Sequence, residues 1–280
     1  MDEVSLRNMS EAELGLAVEW AAREGWNPGL DDAKAFFAAD PNGFFCAEAG
    51  GETVGTISAV AYGEHFGFVG FYIVKPERRG HRDGLLLAER AMKQLDGRNI
   101  GIDGVLAKER QYAKFFGFQF AYRNLRYGGA IVPGPVPAGV VPLSQIPFYA
   151  LAEYDRRHFP AERTAFLLAW LAMPHAEGFA VERDGVLSGY GVVRKCREGF
   201  KVGPLFADDP EIASDLFRAL TAKTGGEPVF LDLPEVNAAA LELARRHGMK
   251  EVFATARMYN REIPALPLDA IFGVTTFELG

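Results

Sequence analysis

Phe71-Tyr72-Ile73-Val74-Lys75-Pro76-Glu77-Arg78-Arg79-Gly80-His81-Arg82-Asp83-Gly84-Leu85-Leu86-Leu87 reads as a buried strand, a basic turn with glycines, and the opening of a helix. Such an arrangement aims backbone N–H groups and a helix N-terminus at an anion, the way a fold holds a pyrophosphate. Upstream, Phe66 to Val74 is the whole strand. Phe44-Phe45-Cys46-Ala47, a Gly50-Gly51 turn and Thr53 to Ala61 form a hairpin before it. Ser10 to Ala39 is helical, opened by Ser10, Glu11 and Glu13 and broken at Gly25-Trp26-Asn27-Pro28-Gly29. Downstream, the spacing predicts a helix from about Gly84 to Leu95 and a short strand at Gly104 to Ala107. A helix around Arg110 to Phe116 stops at Gly117, and a last strand runs through Phe120 to Tyr127.

Gly128-Gly129 and Pro133-Gly134-Pro135-Val136-Pro137-Ala138-Gly139 interrupt every periodicity, so the chain divides there into residues 1–132 and 143–280. The second part repeats the plan. Helices near Ile146 to His158 and Ala161 to Met173 precede a hairpin, Ala176 to Glu182 and Leu187 to Arg194, turning at Asp184-Gly185. Lys201-Val202-Gly203-Pro204 parallels Val74-Lys75-Pro76, and Arg245-Arg246-His247-Gly248-Met249 parallels Lys114-Phe115-Phe116-Gly117-Phe118. The offsets from Pro76 to Pro204 and from Gly117 to Gly248, 128 and 131 residues, point to a duplicated domain.

The 280 residues are 49% hydrophobic and 24% charged, with a formal charge of -7, an ordinary balance for a globular protein. That charge gives no field to draw nucleic acid or an acidic membrane to the whole surface, and neither is expected as a partner. Cys46 and Cys196 stand far apart without a His/Cys cluster, so no metal site and no disulfide framework is expected, only two reduced, buried thiols. No targeting segment is legible, and a cytoplasmic location is the default expectation.

The chain resembles the GNAT superfamily of acyl-CoA-dependent N-acetyltransferases, in a tandem arrangement of two such domains. The family fingerprint, a strand followed by Arg/Gln-x-x-Gly-x-Gly/Ala, is matched by Arg79-Gly80-His81-Arg82-Asp83-Gly84, with Arg82 at the first Gly place. The resemblance implies an α/β (α+β) fold with two mixed, splayed sheets flanked by helices. It implies acetyl-CoA as cosubstrate in the first splay, pantetheine along Tyr72, Ile73 and Val74, and pyrophosphate on Arg79, Gly80, His81, Arg82, Asp83, Gly84 and Leu85. Backbone donors survive at Arg82 if the turn needs no positive φ there. In the second half, Leu205-Phe206-Ala207-Asp208-Asp209-Pro210-Glu211 carries three acids and no glycine pair, so no CoA is expected. Asn237 is read as a helix cap.

Acetyl transfer to an amine needs a deprotonated amine, a polarised thioester carbonyl and a proton for the departing thiolate. A backbone N–H near Val74 is the candidate for polarising the carbonyl. Tyr112 is the candidate acid, since related enzymes place a Tyr four residues before the Gly of the helix end; here that place is Ala113, Tyr112 stands five before Gly117, and ordinary packing is the alternative. Glu64 and Glu109 are candidate bases, Glu64 beside His65 at a turn that also suits plain solvated residues. Trp26 and Asn27 are candidates for lining the acceptor pocket by stacking and hydrogen bonding, with a helix stop as the alternative. Asp155, beside Tyr154 and Arg156, is a candidate for receiving an ammonium if the second half covers the cleft, with plain surface charges at Asp155 and Arg156 as the alternative. Phe36, Phe37, Phe115 and Phe116 are read as core. The expected activity is N-acetylation of a small-molecule amine by direct attack, the second half shaping the acceptor pocket. The rival is a non-catalytic acyl-CoA or metabolite-binding protein of the same fold, and the tandem pair either replaces a homodimer or itself forms one.

Overall fold

The computed structural model describes residues 3–280. The first half comprises strand β1 (Ser5–Asn8), helices α1 (Glu11–Arg23) and α2 (Asp32–Ala39), and strands β2 (Phe44–Ala49), β3 (Glu52–Tyr62) and β4 (Phe66–Val74). Helix α3 (Asp83–Gln94), strand β5 (Asn99–Val105), helix α4 (Glu109–Phe116) and strand β6 (Gln119–Ala130) follow. The second half repeats this order. It runs through strand β7 (Val140–Pro142), helices α5 (Phe148–His158) and α6 (Thr164–Leu171), and strands β8 (Ala176–Arg183), β9 (Val186–Lys195) and β10 (Phe200–Ala207). Helix α7 (Pro210–Thr221), strand β11 (Pro228–Pro234), helix α8 (Ala238–Arg246) and strand β12 (Lys250–Tyr259) complete the repeat, and a short strand, β13 (Ile271–Gly273), comes last.

All of these strands join one sheet in the order β1-β2-β3-β4-β5-β12-β6-β11-β10-β9-β8-β7, with β13 beside β10. Its centre is a reciprocal exchange: β12 of the second half pairs with β5 of the first, and β6 of the first pairs with β11 of the second. The exchanged strands run antiparallel to each other from Lys250↔Gly128 to Tyr259↔Gln119. The helices divide the core accordingly. One cluster is shared by both halves through α1, α2, α5 and α6, where Phe36 stacks on Trp170 at 6.1 Å; the other two lie under α3 and under α7 and α8.

Local signals hold where the chemistry is local. Ser10 and Glu13 form a reciprocal cap on α1, and Gly117, at φ 73, closes α4. Three expectations need correction. The strand expected at Gly104 to Ala107 lies earlier, because residues 99–102 pair with β4 and the chain leaves the sheet after Val105. Gly128-Gly129 does not end β6; a Cβ on Gly128 would sit 2.8 Å from the Phe230 ring, so the glycine admits a close cross-strand neighbour. Phe115, read as core, is 62% exposed on the outer face of α4.

Asn237 does more than cap. Its side-chain oxygen accepts from the Ala240 N–H at 3.0 Å, while its Nδ2 donates to the carbonyls of Leu268, Asp269 and Ile271 at 3.0–3.1 Å. One residue therefore fixes α8 and the start of the 271–280 segment together. Asn237→Ala removes a cap and orphans one buried and two part-buried carbonyls, an expected loss of about 2–4 kcal/mol in urea unfolding. A change under about 0.5 kcal/mol would show that water replaces all four bonds.

Candidate active site

Strands β4 and β5 pair only from Phe66↔Asn99 to Val69↔Ile102 and then diverge. On its other side β4 bulges: Gly70 faces Ser58 and Ile73 faces Thr56, which leaves Phe71 and Tyr72 outside the register opposite Ile57. Phe71 adopts φ 46, a strained conformation for an aromatic residue. Two buried hydroxyls support the bulge. Ser58 accepts from the Gly70 N–H at 3.0 Å, and Thr56 donates to the Phe71 carbonyl at 3.0 Å. The backbone is thus turned at the point where the strands part, four residues before the Val74 expected from sequence.

The turn after β4 follows the anion-binding plan in detail. Gly80 sits at φ 82, where a side chain would be strained, whereas Arg82 has φ -69 and needs no glycine. Gly84 is required for contact: a Cβ there would lie 2.6 Å from the Tyr72 hydroxyl. Asp83 is buried and accepts from Arg78 Nε at 2.6 Å, and Arg79 Nε donates to the Val74 carbonyl at 3.0 Å. These contacts hold the turn while Gly80, His81, Arg82 and Leu85 stay exposed. No side chain caps the N-terminus of α3, which leaves its leading amides without a side-chain acceptor.

A narrow cleft, with a cavity volume of about 100 Å³, opens through the sheet at the splay. On one side it meets α3 and α4 through Ala91, Tyr112 and Phe116; on the other it meets Trp26, Phe253, Phe277 and Glu278. Tyr112 reaches it because Gly104 leaves room; a Cβ on Gly104 would sit 2.4 Å from the Tyr112 ring. Burial, with the neighbouring Tyr72, pushes Tyr112 up to about 12 against the pull of the Val105 backbone amide, so the phenol keeps its proton at neutral pH.

The other sequence candidates separate. Trp26 lines the cleft, and its carbonyl accepts from Arg126 Nη1 at 2.7 Å. Asn27 does not line it: its amide exchanges two 2.9 Å bonds with the Glu198 backbone and clamps the halves together. Glu109 starts α4 and is not among the residues that line the cleft. Glu64 is exposed at the β3–β4 turn, at the opposite end of β4 from the splay. Asp155 is also corrected. Its carboxylate is buried, held by Arg163 at 2.7 and 2.8 Å and by the Tyr190 hydroxyl, so it cannot receive an incoming ammonium.

Sequence reasoning missed every cleft residue that the second half contributes: Phe253, Thr255, Phe277 and Glu278. They come from β12 and the 271–280 segment, which reach the first half only through the strand exchange. The one local signal is a single acid, Glu278, within the buried run Ile271 to Gly280.

The second half closes its equivalent splay with its own chain. Strands β10 and β11 pair only from Phe200↔Val229 to Val202↔Leu231, and β13 then lies against β10 through Leu205↔Gly273 and Phe206↔Ile271. The Val274 N–H donates to the Asp232 carbonyl at 2.8 Å, which ties the same segment to β11. Helix α7, unlike α3, is capped: Asp209 accepts from the Glu211 and Ile212 amides at 2.9 Å and pairs with Arg183. Both the gap and the anion site are filled internally.

A family model described as Acetyltransferase (GNAT) family matches residues 11–118, and one described as Acetyltransferase (GNAT) domain matches residues 151–273. The chain is 31% identical over 271 residues to the holothin acyltransferase of Pseudoalteromonas sp. (strain SANK 73390), covering 96% of this chain and 92% of that one. The fold matches a crystal structure from Pyrococcus horikoshii, assigned as an acetyltransferase, with TM-score 0.84 and 23% identity over 99% of this chain and 96% of the other. It also matches a tandem GNAT protein from the clavulanic acid biosynthesis pathway, solved without AcCoA, with TM-score 0.64 and 15% identity over 92% and 98% of the two chains. With two matched domains, an open splay in the first and a related acyltransferase along nearly its whole length, the chain belongs to the GNAT acyltransferases as a tandem-domain member.

Proposed function

We propose that the protein transfers an acetyl group from acetyl-CoA to a small-molecule amine by direct attack, using the first half alone for the thioester. The observation that carries this reading is the asymmetry of the two splays: the first opens into a cleft that contains Tyr112, and the second is filled by β13. The residues fit the cosubstrate. The uncapped start of α3 with Gly80 suits a pyrophosphate, and the gap between β4 and β5 suits an extended arm. The bulge at residues 70–72 turns backbone toward the place where a thioester carbonyl would be polarised.

Direct attack follows from the thiols. Cys46 and Cys196 are both buried outside the cleft lining, and burial pushes both thiols up, away from the thiolate a covalent route requires. Tyr112, protonated at neutral pH, is placed to give a proton to the departing sulfur. The test is release of free thiol from acetyl-CoA across a panel of amines that includes holothin, the compound named for the related acyltransferase. Tyr112→Phe is expected to lower kcat about 10²-fold and leave acetyl-CoA affinity unchanged. Binding of acetyl-CoA without turnover of any amine would support the non-catalytic reading instead.

A further inference from the structure

The cleft is lined by two carboxylates, and they differ in kind. Asp103 is neutralised: Arg257 donates to it at 2.6 and 2.9 Å, and Asn124 adds a bond at 2.8 Å. Glu278 is only 3% exposed, yet its Oε2 is buried with no hydrogen-bond partner among the described residues. A buried carboxylate oxygen without a partner is costly to keep and calls for an account. The backbone around it is tightly held. A Cβ on Gly70 would lie 2.0 Å from the Glu278 carbonyl, Thr276 accepts from the Leu279 N–H at 2.9 Å, and Tyr62 donates to the Leu279 carbonyl at 3.1 Å. The Glu278 backbone is therefore held against the bulge where β4 leaves β5, and the residue lines the cleft there.

We propose that Glu278 is the catalytic residue that receives the acceptor nitrogen, and that the acceptor is an apolar, aromatic-bearing amine. This rests on the acetyl-transfer reading above. Trp26, Phe71, Phe253 and Phe277 supply flat apolar surface on the Glu278 side of the cleft, and Glu278 supplies the one unpaired acceptor for an ammonium. The ammonium gives one proton to the Glu278 carboxylate. The neutral nitrogen then forms the C–N bond with the thioester carbon while the C–S bond breaks. Tyr112 gives its phenol proton to the departing thiolate, the second nitrogen proton, lost as the amide forms, restores the Tyr112 phenol, and the protonated Glu278 returns its proton to water.

The surrounding charges suit this role. Burial raises the Glu278 carboxyl above the usual carboxylate range, toward the value a general base needs, with Lys201 and then Arg126 pulling it back. Asp32 adds to the rise, and Arg194 opposes it. Arg126 is committed to Asp232 at 2.6 Å and Arg194 to Asp32 at 2.9 Å. Lys201 makes no ion pair within 4.0 Å among the described residues; its ammonium donates to the Trp26 carbonyl at 3.4 Å, and burial lowers its pKa. An incoming cation thus meets one available carboxylate.

The test compares phenethylamine with 3-phenylpropionate, its anionic counterpart, by calorimetric titration of the full chain saturated with coenzyme A near pH 8. Phenethylamine should bind at least about tenfold more tightly than 3-phenylpropionate, and Glu278→Gln should erase that preference with unchanged affinity for acetyl-CoA. Equal binding of the two probes, no binding of phenethylamine, or a preference that survives Glu278→Gln would overturn the assignment. Absence of acetyl-CoA binding by the wild type would instead sink the acetyl-transfer reading. A second readout needs no ligand. A folded-state pKa raised above the unfolded value gives stability that is present at low pH and lost as pH rises through the folded value, so Glu278→Gln should raise Tm near pH 8 and by less near pH 5. An equal fall in Tm at both pH values would mean the carboxylate has a structural partner, and would also overturn the proposal.

Discussion

Arg163→Ala is expected to cost about 3–5 kcal/mol in urea unfolding. Arg163 is buried between α5 and α6 and holds Asp155 through Nε and Nη2 at 2.8 and 2.7 Å. Its Nη2 also donates to the Thr275 hydroxyl at 2.9 Å, and its guanidinium lies 4.2 Å from the Phe159 ring centre. Alanine leaves the Asp155 carboxylate buried with only the Tyr190 hydroxyl, and releases the segment that carries Glu278. The destabilisation comes from the uncompensated charge more than from any intrinsic worth of the pair. Combining Arg163→Met with Asp155→Leu should therefore recover most of the loss, since well-packed apolar replacements of buried pairs are commonly neutral. A loss under about 1 kcal/mol for Arg163→Ala would show that water or a moved helix solvates Asp155.

Gly70→Ala is expected to cost about 1–3 kcal/mol in stability and about 10²-fold in acyl transfer. An added methyl would lie 2.0 Å from the Glu278 carbonyl oxygen, 2.9 Å from its carbon and 3.1 Å from its Cα. All three are backbone atoms, so no side-chain rotation relieves the contact. Either the 271–280 segment lifts from β4 or the bulge flattens, and each displaces the cleft wall where Phe277 and Glu278 face Phe71. Steady-state kinetics and thermal unfolding of the same variant check both numbers. Wild-type turnover in Gly70→Ala would mean that the segment is not part of the working site.

Much of this was legible because it is local. The strand–turn–helix at residues 66–94 follows from apolar runs punctuated by Pro76, Gly80 and Gly84, and Gly80 is where positive φ is needed. The tandem plan follows from the repeat of Val74-Lys75-Pro76 and Gly117. Reciprocal exchange of β6 and β12 was not legible, because pairing Thr255 with both Val105 and Asn124 joins residues more than a hundred positions apart. That one non-local event also hid the part of the cleft wall formed by Phe253, Thr255, Phe277 and Glu278. Asp155 misled for a related reason: an acid beside basic neighbours on a helix reads as exposed charge, and only the fold shows Arg163 and Tyr190 closing over it. Asn27, next to the true lining residue Trp26, points the other way at φ 50 to clamp Glu198.

The central claim, one open splay and one filled by the chain itself, is tested most directly by calorimetric titration of the full-length protein with acetyl-CoA, with coenzyme A alongside. The account predicts binding at one equivalent for both ligands, lost on substitution at the Gly80 turn. Two equivalents would contradict the filling of the second splay by β13, and no binding at millimolar ligand would contradict the reading of the first.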